Sequence, residues 1–253
     1  MKKRNFCIAL MILLVTFSCQ KETSQDDVSL NSVSNKKENW LKADLNTEFA
    51  SSQKQVTAYL FPTEELDKLV NTPNIEEVRF VLGYADNIIQ IEVVGVDKSG
   101  KKLGLVESTV LKDISSQNNL VELNKLTVNT TKKRSLLLNE HILLPNYAYT
   151  WIDGWQEKLK TVSDLDESLS YEGKRFRYYS LEADVVKEMT SKKSLNVGLF
   201  LGLNPKGKVT TILINLDKNN GINKTSITSK SDADDVYDGA RPCPPFGDPE
   251  EPQ

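Results

Sequence analysis

The residues able to do covalent chemistry are few: three cysteines, Cys7, Cys19 and Cys243, and a single histidine, His141. Small Ser18 precedes Cys19, after an apolar run from Phe6 to Val15 that is itself led by Lys2, Lys3 and Arg4. A positive start, a short apolar centre and a small residue before the cut describe a secretory signal. Phe6 to Phe17 is 12 residues, short of the ~20 that span a bilayer, so a permanent transmembrane helix is the weaker alternative. Cleavage before Cys19 frees its thiol to carry a diacylglyceryl group, and membrane lipid becomes the expected partner. One acyl chain anchors marginally, at ~0.8 kcal/mol per buried CH₂, while several hold firmly. The competing account is an ordinary signal peptide in which Cys19 is incidental.

The other candidates are weaker. Cys7 leaves with the signal, so Cys243 is the one remaining thiol of the mature chain once Cys19 is acylated. That rules out an intramolecular disulfide and a thiolate metal cluster. Between Pro242 and Pro244, Cys243 is either an unpaired thiol or, in an oxidising compartment, an intermolecular disulfide. His141 sits in the mostly apolar stretch 136–144. A nucleophile–base pair needs a partner, and none is visible, so a structural histidine is expected. Asp217, Asn219 and Gly221 place oxygen side chains at alternate positions before a glycine, as a Ca²⁺ loop begins. Asn223 adds an oxygen, but Thr228 stands where the twelfth-position Glu belongs. Asp, Asn and Gly are also turn residues, and a hairpin turn is the favoured reading. A second acidic run, Asp232, Asp234, Asp235 and Asp238, has Val236 in place of a third ligand, and reads as a solvated segment.

Two aromatic-rich stretches stand out: Tyr147, Tyr149, Trp151 and Trp155, then Tyr171, Phe176, Tyr178 and Tyr179. Aromatics bind glycans and peptides and also fill cores; core is expected. Glu64 and Glu65, and Asp164, Asp166 and Glu167, offer carboxylates, but spacing in sequence does not make a glycosidase pair. No residue is therefore assigned a catalytic or cofactor-binding role. A non-enzymatic binding or structural module is expected, with a glycan, peptide or protein ligand. An envelope hydrolase is the alternative.

Val15-Thr16-Phe17-Ser18-Cys19 resembles a bacterial lipobox, with Thr16 where Leu is usual. Gln20-Lys21-Glu22-Thr23-Ser24-Gln25-Asp26-Asp27 resembles the acidic segment after the lipid cysteine in surface-exported lipoproteins of Bacteroidetes; a plain polar tether is the alternative. These resemblances imply an outer-membrane location, on the periplasmic or the cell-surface face.

Composition limits the partners. Losing Lys2, Lys3 and Arg4 takes the formal charge from −3 to −6. A nucleic-acid binder shows a basic stripe; none is visible, so no nucleic-acid partner is expected. The mature 235 residues, within a chain that is 39% hydrophobic, suffice for one large or two small domains.

The elements that must position these residues come from an internal repeat. Tyr59–Gly83 and Tyr178–Gly202 align at an offset of 119. In each, a strand (55–61 and 175–179) leads to a helix, with Thr63 and Ser180 as expected N-caps. Two alternating strands follow, then Asp97-Lys98-Ser99-Gly100 or Asp217-Lys218-Asn219-Asn220-Gly221, where the offset has become 120. Further strands are expected at Leu103–Leu111 and Ile222–Thr228. Between the copies, Ala148, Ile152, Trp155, Leu159 and Val162 share one face of a helix over 146–162. The chain then divides into signal 1–18, lipidated cysteine and polar tether 19–53, first β-α-β-β unit 54–130, helical connector 131–170, second unit 171–230 and acidic, Pro-rich tail 231–253. Trp40–Phe49 offers a short docking helix within the tether. Five prolines in the tail exclude helix and central strand, leaving disorder or an extended strip at 241–246.

Val78-Arg79-Phe80-Val81-Leu82-Gly83, Val93–Gly100 and Asp238-Gly239-Ala240-Arg241-Pro242-Cys243-Pro244-Pro245 resemble a family of Bacteroidetes envelope lipoproteins with a repeated helix–strand–strand unit. The resemblance implies an envelope location and carries no catalytic residue. The expected fold class is α+β: a mainly antiparallel sheet built from two related β-α-β-β units, with helices on one face to cover the apolar sides of the strands.

Overall fold

The computed structural model describes residues 35–112, 120–125, 136–191, 194–222, 236–238 and 240–247. The signal, Cys19, the tether up to residue 34, Asn223, Thr228 and the acidic run 232–235 lie outside the described residues. No helix among the described residues is long and apolar enough to cross a membrane.

The architecture is α+β with antiparallel sheets. Helix α1 (35–42) and α2 (Thr47–Gln53) lead to the first unit: β1 (Ala58–Pro62), α3 (Thr63–Val70), β2 (Glu77–Ala85) and β3 (Ile88–Val96), then β4 (Lys102–Glu107) and β5 (Thr109–Leu111). The connector carries α4 (Leu136–His141), β6 (Ile142–Leu143), α5 (Pro145–Lys158) and α6 (Leu165–Ser168). A small hairpin, β7 (Ser170–Tyr171) and β8 (Lys174–Arg175), precedes the second unit: β9 (Tyr178–Glu182), α7 (Ala183–Thr190), β10 (Asn196–Leu203) and β11 (Val209–Leu216). Strands β12 (Val236–Tyr237) and β13 (Arg241–Cys243) close the chain.

The two units exchange their first strands. One sheet runs β5-β1-β10-β11-β12-β6, the other β13-β9-β2-β3-β4. Thus β1 of the first unit pairs with β10 of the second, and β9 of the second with β2 of the first. Matching hydrogen bonds sit at matching places. The Tyr59 hydroxyl donates to Ile89 O at 2.9 Å, and the Tyr179 hydroxyl to Val209 O at 2.8 Å. The Thr63 N–H donates to Leu195 O at 3.0 Å, and the Ala183 N–H to Glu76 O at 2.9 Å. The first of these pairs ties one sheet to the other. The second supplies each helix with a backbone acceptor for a first-turn N–H that would otherwise be orphaned.

These contacts correct the sequence alignment. Tyr59 corresponds to Tyr179, not Tyr178, so the offset is 120 through β1 and α3. It falls to 119 only at β2, whose partner strand Tyr179 meets at Phe80 just as Tyr59 meets Leu199. The cause is a helix–strand loop one residue shorter in the second unit. Neither Thr63 nor Ser180 caps a helix: the N-cap positions are Pro62 and Glu182, without side-chain cap bonds. Ser180 lies within β9. The strand expected at 103–111 breaks at Ser108, whose hydroxyl bonds Ile91 O at 2.6 Å. The break lets β4 stay in one sheet while β5 joins the other.

Alternating side chains fill the space between the sheets: Tyr59 and Phe61 from β1, Val78 and Phe80 from β2, Leu181 from β9 and Leu199 from β10. Leu66 and Leu69 of α3, with Val185 and Met189 of α7, join the same core, and the two helices pack on each other. Burial of each such side chain contributes ~1.5–3 kcal/mol. Helix α5 adds a layer, setting Ala148 and Ile152 against Phe200, Ile212 and Ile214 on the outer face of the six-stranded sheet. At its N-terminal end the folded chain starts earlier than a tether through residue 53 allows. Trp40 and Phe49 are fully buried, and the Trp40 Nε1–H donates to Phe176 O at 2.6 Å. The described part of the Pro-rich tail is folded too: β13 pairs with β9 at the sheet edge, where proline is tolerated.

Candidate functional site

Helix α1, helix α6, the β7–β8 hairpin and the tail enclose a cleft of about 470 Å³. Arg175 builds one wall. Its guanidinium lies over the Trp40 ring at 5.0 Å, and Nη1 donates to Trp40 O and Ala43 O, both at 2.8 Å. A cation at the C-terminal carbonyls of α1 satisfies groups the helix leaves orphaned and suits its dipole. Nη2 of Arg175 pairs with Asp166, and Lys208 pairs with Glu167. The carboxylates of the cleft are thus held by cations.

Arg177 forms the next part of the lining, beside Pro244. Its N–H donates to Cys243 O at 2.7 Å, and its O accepts from the Leu82 N–H at 2.9 Å. Behind it, the Arg79 guanidinium sits 4.8 Å from the centre of the Tyr178 ring. Burial, then the neighbouring Cys243, pushes the Tyr178 hydroxyl well above the ordinary phenol range. Lys37 on α1 is pushed down, first by burial and then by Arg177 and Arg79 beside it. Cations therefore crowd this end of the second unit, although the chain as a whole is acidic.

A second cleft, about 300 Å³, runs beside α5 and is lined by Lys54, Tyr149, Asp153, Gln156, Glu157 and Lys160. Its two acids and two lysines balance. Lys160 pairs with Glu157 within the helix end.

The residues singled out in the sequence fall as follows. Cys243 is fully buried against the Tyr178 end of β9, which removes the intermolecular disulfide: no second thiol can reach it while the tail is docked. His141 is buried, with Nε2 3.2 Å from Glu182 Oε2. Neither ring nitrogen makes an aligned hydrogen bond, so no nucleophile is activated there. Arg241 holds the other oxygen of Glu182 at 2.5 Å. The Asp217 carboxylate accepts from Asn219 N–H at 2.8 Å and Gly221 N–H at 2.9 Å. Asp97 does the same with Ser99 N–H at 2.8 Å and Lys101 N–H at 3.0 Å. Both loops are turns whose acid is used by the backbone, and no group of three or more potential metal ligands is found among the described residues. Asp238 accepts from the Thr210 hydroxyl at 2.9 Å; the other acids of its run lie outside the described residues. Glu64 is an exposed helix residue paired with Lys68. Trp155, Phe176, Tyr178 and Tyr179 are core, while Tyr147 and Tyr171 are 51% and 40% exposed.

Arg175, Arg177 and Lys208 are site residues that the sequence reading did not single out. The available signal was Lys174-Arg175-Phe176-Arg177, three cations in four positions of an acidic chain. Comparison of the chain with protein-family models, with curated proteins and with solved structures finds no match.

Proposed function

We propose that this chain is an envelope lipoprotein, acylated on Cys19, whose folded part serves as a non-catalytic binding module. The anchor rests on the sequence: the positive start, the short apolar run and Ser18-Cys19. The described part begins 16 residues after Cys19, a length of chain that can reach at most roughly 50 Å. The module would then work close to the membrane surface, the outer membrane on this reading.

The observation that carries the binding reading is the charge pairing in the 470 Å³ cleft. Asp166 and Glu167 are tied to Arg175 and Lys208, so the acids hold the walls in place and the cations set the surface that a ligand meets. A hydrolase built on paired carboxylates would need those acids free. Cys19→Ala is expected to abolish fatty-acid labelling and release the protein from membranes in a high-salt wash. Cys243→Ala should leave both unchanged. Salt strips charge-held protein, because the Debye length falls to ~3 Å at 1 M, but leaves buried acyl chains in place. A labelled, membrane-held Cys19→Ala protein sinks the anchor.

A further inference from the structure

We propose that the second cleft, beside α5, binds a short zwitterionic peptide. Asp153 takes its ammonium group, Lys54 its carboxylate, and Leu120, Tyr149 and Ile152 an apolar side chain. The proposal goes beyond the charge-paired cleft, rests on the binding-module reading and names a ligand class.

Charge comes first. Of the charged residues that line this cleft, Glu157 and Lys160 are spent on each other. Asp153, one turn before Glu157 on α5, and Lys54, at the end of α2, are both exposed. Neither side chain has an ion-pair or hydrogen-bond partner among the described residues. One unspent charge of each sign therefore borders the cleft. A simple anion drawn to Lys54 meets Asp153 and Glu157, and a simple cation drawn to Asp153 meets Lys54 and Lys160. Like charges brought together cost affinity, so the lining favours a molecule that carries both signs over either ion alone.

The rest of the lining narrows the ligand. Leu120, next to the short 3₁₀ turn Val121–Lys125, and Ile152 belong to one apolar cluster, and Tyr149 packs against it partly buried. All three border the cleft. An apolar and aromatic wall with a few polar groups is the make-up of a small-ligand site, and about 300 Å³ stands at the lower end of such sites. Gln156 adds a polar demand. Its Nε2 donates to Val56 O at 3.4 Å, and its Oε1 is a buried acceptor without a partner. Buried polar groups are almost always paired, and a peptide N–H is the donor this one lacks. A phospholipid headgroup also carries both signs, but it brings no side chain for Leu120 and Ile152.

The test titrates the full-length protein in neutral detergent with the dipeptide leucyl-leucine, read by calorimetry. The N-acetylated dipeptide, the C-terminal amide and glycerophosphoethanolamine serve as comparisons. Removing either terminal charge should weaken binding about tenfold, as should Lys54→Ala and Asp153→Asn. The losses should overlap: amidation costs nothing further in Lys54→Ala, and acetylation nothing further in Asp153→Asn, because each pair removes one contact. Lys98→Ala, exposed on the turn after β3, should leave binding unchanged. Positions 54 and 153 are exposed, and circular dichroism checks the fold of both variants. No saturable binding of leucyl-leucine, or binding that ignores Lys54→Ala and Asp153→Asn, overturns the proposal and leaves the module reading standing. Glycerophosphoethanolamine bound more tightly than the dipeptide overturns it in favour of a headgroup. Free leucine released from the dipeptide would instead overturn the non-catalytic reading and keep the ligand class.

Discussion

The two β-α-β-β units share a scaffold but surround it differently. Positions 54 and 174, equivalent by the offset of 120, each line a cleft. In the first unit Lys54-Gln55-Val56-Thr57 leads into β1; in the second Lys174-Arg175-Phe176-Arg177 leads into β9. The first cleft is lined by two acids and two lysines, the second by two acids and three cations. Around the second unit the chain has also gathered α1, clamped by Arg175, and the tail strand β13, which lies on β9 where β5 lies on β1 in the first. The strand exchange explains how one scaffold carries both. Each unit's helix is capped by the other's backbone, so the core is shared and the rims are free to diverge.

Removing the clamp should have the largest effect. Trp40→Ala takes away a fully buried side chain and its bond to Phe176 O, and should cost about 3–5 kcal/mol in urea unfolding. A cost below 1 kcal/mol would mean that α1 is an ornament on the second unit. The two tyrosines compare the units directly. Tyr59→Phe strands Ile89 O and the Gln53 Nε2 donor, and Tyr179→Phe strands Val209 O. Each should lose about 1–3 kcal/mol, with Tyr59 the costlier because it serves two partners. A smaller loss at Tyr59 than at Tyr179 would break the equivalence.

The tail is tested at Gly247. Its φ is +83°, and an added Cβ would stand 2.2 Å from the Tyr178 hydroxyl. Gly247→Ala should cost about 1–2 kcal/mol locally, speeding thiol labelling of buried Cys243 roughly 5- to 30-fold. Unchanged labelling would show that the tail does not guard the thiol. The smallest effect concerns pH. Burial raises the Glu92 carboxyl above its ordinary value, and Lys36 opposes the shift. The folded state then holds this proton more tightly than the unfolded one. Stability from this group is full below the unfolded value, ~4.3, and is lost as pH rises through the raised folded value. Glu92→Gln should flatten that part of the profile; a steeper fall in the variant would reverse the sign assigned to burial.

Much of the local structure was legible. Ala148, Ile152, Trp155 and Leu159 share a helix face and are buried, because a 3.6-residue period writes itself into the sequence. Asp97 and Asp217 were legible as turns, because Asx chemistry is local. The strand exchange was not. Alternation says which side chains face inward and nothing about which strand lies alongside. Trp40 hid in a polar stretch, since its burial depends on Arg175 and Phe176 more than 130 residues away. The cleft was hidden for the same reason: its lining residues come from α1, α6, the hairpin and the tail, and no spacing in the sequence records that they meet. Docking of the tail depends on the β9 edge, which the five prolines do not announce.

The account stands most directly on what is attached at Cys19. Intact-mass measurement of the protein extracted from membranes in detergent decides it. The account predicts a chain that lacks residues 1–18 and carries the added mass of a diacylglyceryl group, with or without a further acyl chain, mapped by peptide fragmentation to Cys19. An unmodified Cys19, or a mature chain beginning anywhere else, would contradict it.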